Sequence, residues 1–197
     1  MEQAKIQGLL DGDPTACQNL PRGMFFLSNA ALSSDGWARY EELMRNGAGS
    51  RHAFMAMDFK APDIRELFND YMRGAVAETG FDLRTTQGDH QTAGSIDNRM
   101  RVEIRTARFV ICDLSHGNRG AYWEAGFAEG LGRPVFYTCR RNVLEAKDHP
   151  DVPHFDTRQQ LIIPWDADNP GPAMKELKST IRATLPAEAK MEDELLN

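Results

Sequence analysis

From Arg51 onward, apolar runs of strand length alternate with segments whose apolar residues recur at helical spacing, and few folds accommodate that rhythm. His52–Met57 is the first unbroken apolar run. Ile64, Leu67, Phe68, Tyr71, Met72, Ala75 and Val76 then share one helical face, which Gly80 closes at the position that favours a left-handed backbone. Phe81–Thr86 reads as a second strand. A polar loop over Gln87–Gly94 leads to a helix capped by Ser95, with an apolar stripe of Ile96, Met100 and Ile104. Arg108–Leu114 is a third strand, Arg119–Leu131 a helix, and Arg133–Cys139 and Gln160–Trp165 the last two strands. A final helix carries Met174, Leu177, Ile181 and Leu185. Strands that read as continuous apolar runs are buried on both faces, and strands separated by helices pair in parallel through right-handed crossovers. The expected fold class is therefore α/β: a flavodoxin-like, doubly wound, five-stranded parallel sheet in the order 2-1-3-4-5. Such a sheet opens a ligand crevice at the carboxyl ends of its first and third strands, where the crossovers part to opposite faces.

Residues 1–50 break the rhythm. Gly8, Gly12, Pro14, Pro21 and Gly23 leave room only for short elements. Met24–Leu27 suits a short strand, and Trp37, Tyr40 and Met44 suit a short helix behind a Ser/Asp cap at Ser34 and Asp35. Asn46–Ser50 reads as a linker. The expected organisation is an appendage and linker over 1–50, an α/β domain over 51–186 and a charged, frayed tail over 187–197.

A formal net charge of −6 and a pI near 5.4 leave no basic face for coating nucleic-acid phosphates, so a nucleic-acid partner is not expected. Cys17, Cys112 and Cys139 are an odd number without metal-type spacing, and two of them sit in strand-like runs, which fits reduced, buried thiols. No basic-then-apolar leader and no apolar stretch near the roughly 18 residues of a membrane span is seen. A cytoplasmic protein with no membrane association is the expectation.

The chemistry concentrates where the third strand ends. Phe109–Ser115 closes in Asp113 and Ser115, and Gly120–Gly126 opens a helix carrying Glu124 in its early turns. The first strand delivers Met57, Asp58 and Phe59 to the same crevice. Three carboxylates on one rim repel one another, an expense that marks function more often than not. Glu124 near a helix N-terminus is expected to stay ionised at neutral pH, which suits a nucleophile or a stabiliser of an oxocarbenium ion. The plain alternative is an ion pair with Arg119 or Arg140. Tyr122 and Trp123 offer flat surface to a base, and the small residues Gly120, Ala121, Ala125, Gly126, Ala128 and Gly130 suit a helix pressed against the sheet or another chain. Asp113 suits sugar hydroxyls or a simple loop cap; Asp58 suits the site or a turn. His90, in the loop after the second strand, is a candidate acid or donor. Arg140 and Arg141 read equally as a phosphate-binding pair and as a solvated basic pair. His149, His154 and Asp156 match a metal set in composition only, and no metal or redox cofactor is expected.

Ala53–Phe59, Phe109–Ser115, Tyr122–Pro134 and His154–Thr157 together resemble a bacterial nucleoside 2-deoxyribosyltransferase-like group, itself distantly similar to Toll/interleukin-1 receptor-like domains. The likeness runs over about Arg51–Leu185. It implies a nucleoside or nucleotide ligand, NAD among the candidates, and cleavage or transfer of an N-glycosidic bond. It further implies Glu124 as nucleophile, Asp113 as the sugar-binding or assisting acid, and a homodimer with sites at the subunit contact. Gly117–Ala121 departs from the Asn-x-Asn-Val of that group. The other expectation is a non-catalytic nucleotide sensor or signalling module, for which Leu32–Trp37 resembles the tail of a winged-helix-like partner module.

Overall fold

The computed structural model describes residues 8, 10–16, 25–38, 49–85, 96–146 and 148–193. Contacts divide the chain into two units, Met1–Asn46 and Gly47–Asn197. In the first, β1 (Leu10–Ala16) and β2 (Phe25–Leu32) form an antiparallel pair whose register shifts between Asp11 and Asp13. The strand expected from Met24 is thus longer and has a partner. Pro14 hides that partner in the sequence, yet both strands of a two-stranded sheet are edges, where a residue without an N–H is tolerated. Residues 34–38 are helical, and the cap is Ser33: its Oγ accepts the Gly36 N–H at 3.0 Å and donates to the Gly8 carbonyl. Met24, Tyr40, Met44 and most of the linker lie outside the described residues.

In the second unit the strands are β3 (His52–Ala56), β4 (Asp82–Arg84), β5 (Val110–Asp113), β6 (Val135–Arg140) and β7 (Ile162–Trp165). They pair in parallel in the order β4-β3-β5-β6-β7, which is 2-1-3-4-5 within the unit, as the alternation implies. Between them run α1 (Pro62–Glu66), a π-helical stretch (Leu67–Met72), α2 (Arg73–Glu78), α3 (Ile96–Thr106), α4 (Arg119–Gly130), α5 (Arg141–Glu145) and α6 (Gly171–Thr184). Alternate strand residues feed two cores. Met55, Ile111, Phe136, Ile163 and Trp165 pack on α1, the π-helical stretch, α2 and α6 through Ile64, Met72, Val76, Leu177 and Ile181. Phe54, Val110, Cys112, Tyr137 and Cys139 pack on α3, α4 and α5 through Ile104, Ala121, Ala125, Ala128 and Val143. The chain leaves β3 toward one face and β5 toward the other, so the crevice lies between the β3–α1 and β5–α4 loops.

Two segments differ from the sequence pattern for identifiable reasons. The π-helical stretch widens the turn from i→i+4 to i→i+5 bonds and rotates the phase, so Met72 is fully buried while Tyr71 is 44% exposed. The tail does not fray over 188–193. Arg108 holds the Glu188 carboxylate with two bonds of 2.7 Å, Arg51 donates to the Glu188 carbonyl, and the Lys190 N–H reaches the Thr79 carbonyl at 2.9 Å. Gly80, at φ +86°, passes beneath this strap, and a Cβ there would meet Lys190 Cγ at 3.1 Å.

The Arg108 bonds hold the Glu188 carboxyl below its ordinary 4.5, against a desolvation effect that opposes them. Its folded value lies below the unfolded one, so the stabilisation is present above about pH 4.5 and is lost as pH falls through the lowered value. Glu188→Gln should cost about 1 kcal/mol, the upper range for a partly exposed pair. Hydrogen exchange over 186–193 should speed up at pH 7 and match the parent near pH 3; unchanged protection at pH 7 would remove the clasp.

Candidate functional site at the carboxyl edge of the sheet

Asp113, the last residue of β5, is buried and fully engaged. Its Oδ1 accepts the Ser115 N–H at 3.0 Å, and its Oδ2 accepts Thr138 Oγ1 and Trp165 Nε1, each at 2.8 Å. Register puts Thr138 directly beside it on β6, and Trp165 comes from β7, beyond. Burial raises the Asp113 carboxyl above its ordinary value, and bonds from Ser115, Trp165 and Thr138 pull it back in part. Ser115 Oγ accepts the Arg140 N–H at 2.8 Å. Asp113, expected at the sugar hydroxyls, and Ser115, expected beside it in the site, therefore tie three strand ends together.

Glu124 is the opposite case. Asn118 caps α4 by accepting the Ala121 N–H at 3.1 Å, which places Glu124 in the second turn. Its carboxylate is partly buried and makes no hydrogen bond or ion pair among the described residues, with Arg119 and Arg140 included. Desolvation pushes it up to about 7. The expectation of a fully ionised group is thus corrected: the helix-terminal field fades within the first turn, and burial outweighs it here. Side chains on a helix lean toward its N-terminus, which turns Glu124 toward the crevice end of α4. Beneath it, Cys112 donates weakly to the Ala121 carbonyl; burial, then the charges of Asp113 and Glu124, raise its thiol well above the usual range. A thiol so protonated is inert.

The other expected residues separate. Met57 is buried in the α1-side core, Phe59 is half-buried against the same core, and Asp58 accepts the Lys60 N–H at 2.9 Å in a local turn. The Tyr122 hydroxyl accepts the His154 N–H at 3.1 Å and so tethers the loop before β7 to α4. Trp123 stacks on Phe127 with centroids 5.3 Å apart, while Arg101 and Arg105 of α3 lie over the two rings. That ladder joins α3 to α4. Of the small residues on α4, Ala121, Ala125 and Ala128 meet the sheet, and Gly126 and Gly130 face open space. His90 lies outside the described residues.

A second group at this edge was not legible in the sequence. His116 Nε2 lies 3.1 Å from Asp63 Oδ1, and Arg140 Nε lies 3.2 Å from Asp63 Oδ2. Arg140 also lies over the Trp165 ring at 5.4 Å. The β5–α4 loop thus meets the first turn of α1 across the mouth of the crevice. Arg141 belongs elsewhere, paired with Asp166 at 2.9 Å and Glu145 at 3.7 Å. Neither His149 nor His154 joins a metal set: among the described residues no three His, Cys, Asp or Glu side chains group to hold a metal ion. A separate groove of about 220 Å³ opens near the amino ends of β6 and β7, lined by Pro134, Phe136, Leu161 and Thr180 among others, and none of these acids borders it.

Gly117 shapes the loop. At φ +56° it adopts a conformation costly for other residues, and a Cβ there would meet Asp151 Oδ1 at 2.8 Å. Gly117→Ala should destabilise by about 1–3 kcal/mol and push the 150s loop off the edge. Thermal melting checks the first effect, and an unchanged melting curve would contradict it.

No protein-family model matches this chain, and no curated protein does. Among solved structures, one described as a 2-desoxiribosyltransferase from Leishmania mexicana aligns over 53% of this chain and 79% of its own, at 21% identity and a TM-score of 0.41. Among the described residues no helix is long and apolar enough to cross a membrane.

Proposed function

We propose that the α/β unit binds a nucleoside or nucleotide in the crevice and cleaves or transfers its N-glycosidic bond. The observation that carries this reading is Glu124, a carboxylate partly withdrawn from water, without a partner, and balanced near neutrality. Structural acids are held by donors, as Asp113 is; an acid left free in a desolvated position is poised for a ligand. Ionised Glu124 attacks C1′, a C1′–O bond forms as the C1′–N bond breaks, and the electron pair leaves with the base, which takes up a proton. Water or a second base then displaces the carboxylate from C1′ and completes hydrolysis or transfer. Asp113 is assigned a positioning role, fixing the strand ends from which Ser115 and the β5–α4 loop spring.

The sensor reading gains from one observation. With both its oxygens committed to the framework, Asp113 is not free to serve as the second acid that glycosidic cleavage ordinarily uses. Incubation with a panel of 2′-deoxynucleosides, their 5′-monophosphates and NAD, followed by chromatography for released base, separates the two. Base release supports the enzyme; saturable retention of an intact ligand with no release supports the sensor. Neither outcome with any of these compounds would sink both.

A further inference from the structure

We infer that the ligand carries a phosphate ester beside its sugar and that Arg140 is the residue that holds it; this rests on the nucleotide-binding reading above. Arg140 is oriented by two neighbours. Its Nε faces Asp63 Oδ2 at 3.2 Å, and its guanidinium plane lies over Trp165, itself immobilised through Nε1 on Asp113. Its Nη groups make no hydrogen bond among the described residues, and the side chain remains one-third exposed. A guanidinium has five donors in a rigid fork, so an ion pair at the inner nitrogen and a ring against its face leave the outer pair unspent, and an unspent pair can take a phosphate with two parallel bonds. Its neighbour Arg141 has no such freedom, being paired with Asp166 and Glu145. Asp63 is shared: its other oxygen faces His116 Nε2 at 3.1 Å, so its carboxylate lies between two nitrogen groups. Arg140 ends β6 and Glu124 lies on the helix that follows β5, so the fork and the carboxylate stand at the same carboxyl edge of the sheet, on strands that pair directly.

The test compares 2′-deoxyadenosine, its 5′-monophosphate and NAD with the full chain and with Arg140→Gln. For the parent protein the monophosphate, NAD or both should show a KM about tenfold to a hundredfold below that of the nucleoside. Arg140→Gln should erase that preference, the KM of the phosphorylated compounds rising to that of the nucleoside, and whichever phosphorylated compound loses more identifies the source of the phosphate. Equal KM values in the parent, or a preference that survives in the variant, overturn the inference while base release leaves the cleavage reading intact. If no compound releases base, cleavage fails by itself, and dissociation constants from calorimetry decide the phosphate question by the same ratios. Should Arg140→Gln fail to fold, Arg140→Lys keeps the charge without the fork and should still lose most of the preference; full retention would overturn the inference.

Discussion

Glu124→Gln abolishes base release, with kcat falling on the order of a thousandfold or more, because the amide cannot form the C1′–O bond. The pH profile carries the same information. With its carboxyl at about 7, Glu124 supplies a nucleophile only above that value, so log kcat/KM should climb with unit slope below pH 7 and level off above it. A stability effect of opposite sense accompanies the loss. The folded value lies above the ordinary 4.5, so the folded chain holds the proton more tightly than the unfolded one between about pH 4.5 and 7. Relative to glutamine, the glutamate imposes no cost below that window and its full cost above it. Glu124→Gln should therefore melt like its parent at pH 4 and outlast it at pH 8, by about 1–2 kcal/mol after allowance for solvent screening. A variant that still releases base within a few-fold of the parent removes Glu124 from the chemistry.

The second large effect is structural. Asp113→Ala strands a backbone N–H, a threonine hydroxyl and an indole N–H in a buried site, a loss of about 3–5 kcal/mol. At roughly 2–4 °C per kcal/mol for a chain of this size, the melting temperature should fall by about 10 °C. Asp113→Asn discriminates further. Its carbonyl can serve Thr138 and Trp165, but its NH2 then faces the Ser115 N–H, so about half of the loss remains. A framework residue loses stability in both variants and activity in proportion. If instead Asp113→Asn melts like the parent and loses activity alone, the acid acts directly on substrate.

Element types and strand order followed from local pattern, because both cores need apolar residues on both sides of every central strand, and His52–Met57 and Arg108–Leu114 advertise that need. Tyr71 escaped because a single wide turn changes which residue faces inward, and periodicity presumes a uniform turn. Within the edge site, Asp113, Ser115 and Glu124 drew notice for their positions, but their partnerships did not. Asp113 looks like a free acid until Trp165, from a strand two places away, is brought onto it. His116 stands in plain view within the Asp113–Glu124 loop, and only folding supplies Asp63, from 53 residues earlier, as its partner. The Glu124 charge is not legible in sequence, which gives distance along the helix, whereas desolvation depends on what packs around the side chain.

The clasp that joins Arg51 to Glu188 spans 137 residues. A chain emerging from the ribosome can build its hydrophobic layers strand by strand, but it cannot lock the amino ends of β3 and β5 until Glu188 has been synthesised. Long-range closure of this kind comes late in folding, and nascent parallel sheets remain open to mispairing until it occurs. Synthesis of Glu188, rather than growth of the sheet, sets the moment at which this unit becomes secure.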